Sequence, residues 1–157
     1  MDDILYFRAT DKDIDKLVDL RIIFSDELYG KQPPEKEAEM RKNLRSYFEK
    51  EINRNYISWY AVVDGHVAAI AGMVIKTLPG NIKNPSGEWG YIMSVYTSPA
   101  HRGKGLCRNV LERLMETAGQ MGISAFELHA TAAGEPVYVA CGFYKHHEPT
   151  YRKIVAG

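Results

Sequence analysis

The sequence predicts a single α+β domain built on a mixed, mostly antiparallel sheet of six to seven strands flanked by about four helices. Three observations carry that prediction. Residues 57–63 and 67–75 are rich in β-branched and aromatic side chains and are separated by Asp64-Gly65, the strongest hairpin signal in the chain. Residues 91–96 alternate like a strand buried on both faces and lead through a proline- and glycine-containing turn into a helical period starting at Leu106. Residues 14–28 and 35–53 place apolar side chains at helical spacing. At 157 residues, the chain suits one domain covering 1–157, large enough to bury about 70% of its unfolded surface.

In chain order, residues 4–9 read as a first strand, and Thr10 with Asp13 forms a capping-box pattern that opens a helix. Its stripe is Ile14, Leu17, Val18, Arg21 and Ile22, with Phe24 and Leu28 near its end, and residues 30–34 break it. The second helix, 35–53, shows Met40, Leu44, Tyr47, Phe48 and Ile52 on one side and a solvated charge run on the other. The hairpin follows, then a turn-rich loop over 77–87. After the fourth strand, Leu106, Val110, Leu111, Leu114 and Met115 form the inner face of a helix that ends near Gly119 to Gly122. Residues 125–130 read as a fifth strand, 135–141 as a short helix stopped by Gly142, and 143–145 and 151–155 as the last strands.

Composition narrows the function classes. Apolar residues make up 45% and charged residues 25%, the balance of an ordinary globule. Twenty basic and twenty acidic residues cancel, so no net field draws in nucleic acid or an anionic membrane, and neither partner is expected. Met1-Asp2-Asp3 lacks the basic flank of a leader, and no run of eighteen apolar residues occurs. Cys107 and Cys141 have neither metal-ligand nor disulfide-framework spacing. These observations predict a cytoplasmic protein without a metal.

The chemistry centres on Thr97-Ser98-Pro99-Ala100-His101-Arg102-Gly103-Lys104-Gly105. The first N–H groups of a helix lack intrahelical partners and carry the positive end of its dipole. Gly103 and Gly105 present no Cβ to obstruct a phosphate, and Arg102 and Lys104 add charge, so the turn suits a diphosphate. It is neither a P-loop nor a Gly-x-Gly-x-x-Gly fingerprint, because Arg108 stands where a third glycine would fall. Cys107, near a helix N-terminus, reads either as a thiol of lowered pKa or as a small side chain beside a close ligand.

Residues 95–105 resemble motif A of the GNAT superfamily of acetyl-CoA-dependent N-acetyltransferases, Gln/Arg-x-x-Gly-x-Gly/Ala after the fourth strand. With Gly103 and Gly105 as the motif glycines, the Gln/Arg position falls on Ala100; with Arg102 as the arginine, the last small residue is Cys107. The first register is preferred. Tyr138 followed at the matching interval by Gly142-Phe143 resembles a second element of that superfamily. The resemblance spans essentially the whole chain and implies a sheet splayed between strands four and five. It also implies that Val95, Tyr96 and Thr97 hold the pantetheine arm and acetyl carbonyl, and that Arg102, Gly103, Lys104, Gly105, Leu106 and Cys107 hold the pyrophosphate. Thr131 is placed in the cofactor-binding set, and homodimerisation is a family tendency.

The implied activity is direct transfer of the acetyl group of acetyl-CoA to a primary amine of a small molecule or peptide, with both substrates bound. An alkylammonium must first lose a proton, at a cost of about 4.6 kcal/mol at pH 7 without assistance. Glu88 is the first candidate for the base, with His129, Glu127 or a water chain as alternatives. Tyr138 is the candidate donor to the leaving thiolate; from a phenol of ordinary pKa, full proton transfer would run uphill by roughly 2 kcal/mol. The alternative is an acyl-CoA-binding regulatory or catalytically inactive domain.

Overall fold

The computed structural model describes residues 3–156. Met1, Asp2 and Gly157 lie outside the described residues, and with them most of the stretch on which the absence of a leader was read. Strand β1 (Ile4–Arg8) is followed by the Thr10 capping box: the Thr10 N–H donates to Asp13 Oδ2 at 2.9 Å, and the Lys12 N–H donates to Thr10 Oγ1 at 3.3 Å. This box closes a single 3₁₀ turn that runs into helix α1 (Ile14–Tyr29), and α2 (Pro34–Glu51) follows. Strands β2 (Tyr56–Val63) and β3 (His66–Thr77) are joined through Asp64 and Gly65, both at positive φ (50° and 77°), the two left-handed positions a tight hairpin needs. Then come β4 (Glu88–Thr97), α3 (Leu106–Gln120), β5 (Phe126–Glu127) and α4 (Glu135–Ala140).

The sheet order is β1-β2-β3-β4-β5, antiparallel except for the parallel β4/β5 pair. Strand alternation sorts side chains to two faces. Tyr56 and Tyr60 join Leu17, Val18 and Phe48 under α1 and α2. Ile57, Ala61 and Val63 join Leu106, Val110, Leu111 and Leu114 of α3 on the opposite face, with Tyr138 of α4. Trp59 Nε1 donates to Thr117 Oγ1 at 2.8 Å, which sets the seat of α3 on β2.

Two expectations are corrected. Among the described residues the sheet has five strands, not six to seven: residues 143–145 and 151–155 form none. Tyr144, Tyr151, Ile154 and Val155 are 76–91% exposed. β-propensity reflects packing against neighbouring strands, and side chains facing water supply none. The fifth strand is also two residues long, where 125–130 had been expected.

That shortness shapes the sheet. β4 pairs with β5 only at Gly90 with Phe126 and at Tyr91 with Glu127. Beyond Tyr91 no strand among the described residues pairs with the edge of β4 that faces β5, which leaves an opening there. Only Gly90 and Ile92 are fully buried on β4.

Candidate active site

The opening is given its chemistry by an irregularity in β4. Met93 lies opposite Gly72, whereas Tyr96 lies opposite Ile70, so Ser94 and Val95 face the single residue Ala71. Ser94 absorbs the extra residue at φ 54°, the left-handed conformation of a β-bulge. Before the bulge, the Gly90 N–H points toward β5, donating to Ala125 O at 2.9 Å; after it, the Ser98 N–H points the other way, donating to Ala68 O at 2.9 Å. Backbone directions alternate along a strand, so the bulge reverses the parity. The N–H groups of Val95 and Thr97 therefore face the opening, where a regular strand would have turned them toward β3.

From Thr97 the chain passes through Pro99–His101, a 3₁₀ turn, into the glycine turn. Gly103 and Gly105 are both at φ +78°, and a Cβ at either would meet nothing within 4 Å. Six successive N–H groups, from Gly103 to Arg108, donate to no backbone carbonyl among the described residues; the next, Asn109 N–H, closes the first helical bond to Gly105 O at 3.1 Å. Such a row of free amides at a helix N-terminus has the geometry that suits an anion. Lys104 is exposed beside it. Arg102 is already engaged: its Nε donates to Thr97 O at 2.9 Å and its Nη2 pairs with Glu27 at 3.3 Å.

Behind the turn, Cys107, Cys141 and Tyr138 share one neighbourhood. Burial pushes the Cys107 thiol up to about 11, partly offset by a hydrogen bond with Thr97. Of the two readings of Cys107, this favours the small side chain beside a close ligand over a thiol of lowered pKa, because desolvation disfavours the thiolate. Burial, with the two thiols close by, pushes the Tyr138 phenol up to about 12. Its ring packs edge-on to Phe143, with centroids 6.3 Å apart, and Gly134 gives it room, since a Cβ there would lie 2.9 Å from the ring. Thr131 shapes the turn ahead of α4, its Oγ1 accepting from the Gly134 N–H at 3.2 Å.

The fold does not bring Glu88 to this place. It stands seven residues before Val95 at the far end of β4, roughly 20 Å away at the rise of a strand, whereas direct proton abstraction needs about 3 Å or one bridging water. The alternatives also sit at that far end: His129 packs edge-on to Tyr91 at 5.7 Å, and Glu127 pairs with Lys76 at 3.9 Å. The carboxylate near the bulge is Glu27 of α1, which accepts from Tyr96 Oη at 2.9 Å. Glu27 and Ser94 were both missed from the sequence. A serine gives no signal for a left-handed position, and Glu27 on an exposed turn of helix looks like any solvated charge.

No helix is long and apolar enough to cross a membrane, and no group of three or more His, Cys, Asp or Glu is placed to hold a metal ion, both among the described residues.

Residues 17–147 match the family model described as Acetyltransferase (GNAT) family, and the chain belongs to that family. It is similar to a predicted acetyltransferase of Clostridium acetobutylicum crystallised with acetyl-CoA, at 29% identity, 96% coverage of both chains and a TM-score of 0.82. Its fold is also that of a GCN5-related N-acetyltransferase of Ralstonia eutropha (23% identity, 99% of this chain and 100% of that one, TM-score 0.82) and of the glucosamine-6-phosphate N-acetyltransferase of Arabidopsis thaliana (18%, 98% and 99%, TM-score 0.67). No curated protein matches the chain.

Proposed function

We propose that the protein moves the acetyl group of acetyl-CoA directly to a primary amine while both substrates are bound. The observation that carries this reading is the β4 bulge, which aims the Val95 and Thr97 amides into the opening in line with the free amides of the glycine turn. Acetyl-CoA supplies the acyl group as a thioester, and the Clostridium relative bound to it supports that choice.

The amides of Gly103 to Arg108, with Lys104, hold the diphosphate. Thr97 orients the arm, and the Val95 N–H stabilises negative charge developing on the thioester oxygen as the amine nitrogen attacks the carbonyl carbon. The C–S bond breaks, and Tyr138 donates a hydrogen bond to the departing thiolate. With its phenol near 12 against a thiol near 8.5, complete proton transfer would run uphill by roughly 4.8 kcal/mol, so Tyr138 works as a hydrogen-bond donor, and the second proton that the nitrogen sheds as the amide forms passes through solvent to the thiolate. Glu27 takes the ammonium proton through the Tyr96 phenol or a bound water.

Calorimetric titration with acetyl-CoA, followed by thiol-release assays against a panel of amines, tests the reading. Binding together with amine-dependent release is expected. Binding without release from any amine would favour the acyl-CoA-binding regulatory alternative, and no binding would remove the phosphate-turn assignment.

A further inference from the structure

Helix α1 carries a cation on the side it buries. Ile14, Leu17, Val18 and Ile22 of that side are buried, and half-buried Arg21 shares the stripe. Its Nη1 donates to Ser94 Oγ at 3.0 Å, and Ser94 is the bulge residue immediately before Val95. Among the described residues no carboxylate lies within 4.0 Å of Arg21, as none does of Arg8, Arg54 or Arg113, whereas Arg41, Arg45, Arg102 and Arg108 are paired.

Among the described residues, its immediate neighbours offer it no ion pair. The Tyr56 phenol also reaches Ser94, but burial pushes it up to about 12, so it stays neutral. Gly72 makes room for that hydroxyl, since a Cβ there would lie 1.9 Å from it. Glu27, the nearby carboxylate on α1, is taken by Tyr96 and Arg102. Leu17, Leu20, Phe24 and Phe48 line a cavity of about 10 Å³ beside Arg21, which admits one water and nothing larger, so an anion meets the half-buried guanidinium on its solvent-accessible side. A guanidinium always carries its charge and has five donors. Holding it against apolar walls without a counter-ion is unfavourable unless an anion completes the site.

We propose that Arg21 recognises an anionic group on the acceptor, making the acceptor a short amine that carries a carboxylate or phosphate a few bonds from its nitrogen. The inference rests on the acetyl-transfer reading above. The short spacing follows from the chain: the residue Arg21 touches is bonded to the one whose amide faces the thioester. A long polyamine, or a lysine on a protein, offers no such anion. The anion takes no part in bond making: the C–N bond forms, the C–S bond breaks, and the ammonium proton leaves as already described.

The test compares thiol release from acetyl-CoA with matched acceptors: alanine and alaninamide, β-alanine and β-alaninamide, phosphoethanolamine and ethanolamine. The first two pairs report a carboxylate and the third a phosphate. In at least one pair, kcat/KM should favour the anionic member by about tenfold or more, mostly through KM, as one charge-assisted contact supplies. Arg21→Gln should collapse that ratio toward one, and Arg21→Lys, which keeps the charge, should retain part of it. Pairs alike within about twofold, a preference for the neutral member, or an equal loss for both members in Arg21→Gln would overturn the inference and leave acetyl transfer standing.

If no amine releases thiol, calorimetric titration of the acetyl-CoA-saturated protein with β-alanine and with phosphoethanolamine decides. Binding abolished in Arg21→Gln upholds the anion site, and absence of binding overturns it. Failure to bind acetyl-CoA would instead remove the acetyl-transfer reading, and the inference with it.

Discussion

Gly105 and Gly122 bracket α3 and provide a matched test of the anion cradle. Both are left-handed, at φ +78° and +88°, and a Cβ at either meets nothing within 4 Å. Alanine at either position therefore carries a similar backbone penalty, about 1–2 kcal/mol for an L-residue held left-handed, which for a domain of this size lowers the Tm by roughly 2–8 °C. Their consequences for binding differ, because the two residues lie beyond opposite ends of a helix of 15 residues, roughly 25 Å apart at its rise. Gly105→Ala places a methyl among the free amides and displaces at least one charge-assisted hydrogen bond to phosphate, about 1.5–3 kcal/mol, or roughly 10- to 150-fold in Kd. Gly122→Ala carries the backbone penalty alone. Thermal melts and calorimetric titration with acetyl-CoA on both variants separate the two effects. If Gly105→Ala binds within about twofold of the native protein while its Tm falls, the cradle has been misassigned.

Tyr138→Phe keeps the packing on Phe143 and removes only the hydroxyl; kcat for thiol release should fall about tenfold while the Kd for acetyl-CoA changes little, and an unchanged kcat would remove its role as donor. Glu27→Gln should lower kcat for thiol release about a hundredfold while the Kd for acetyl-CoA changes little, and an unchanged kcat would show the proton leaving elsewhere. Stability should fall in alkali. Tyr56 and Tyr138 are both pushed up to about 12 in the fold, against about 10 unfolded. Below pH 10 both states keep these protons; between pH 10 and 12 the unfolded chain releases them first, so stability drops by up to about 1.4 kcal/mol per pH unit for each phenol. Urea midpoints measured from pH 9 to 11.5 should show this decline, shallower in Tyr56→Phe, and a slope that Tyr56→Phe leaves unaltered would count against a buried neutral phenol.

What the sequence determined by itself was whatever depends on neighbours along the chain. The Thr10 box, the Asp64-Gly65 hairpin, the apolar stripes of α1 and α3, and the glycine turn all rest on contacts within a few residues, and the expected positions match those observed closely. Much of the candidate site was legible for the same reason, since Gly103, Gly105 and the start of α3 form a local unit, and the interval from Tyr138 to Gly142 spans about one helical turn. Tertiary structure decided the rest. The bulge at Ser94 exists only as a mismatch against β3, and it sets which amides of β4 face the opening. The opening depends on β5 stopping after two residues, and residues 151–155 have strand-forming side chains but no strand to lie against. Arg21, Glu27 and Glu88 show the same limit: each is a charge on a predicted element, and only the packing of α1 against β4 brings Arg21 to Ser94 and Glu27 to Tyr96 while Glu88 stays at the far end. Pairing between distant segments is settled by the free energy of the whole sheet, which local periodicity does not encode.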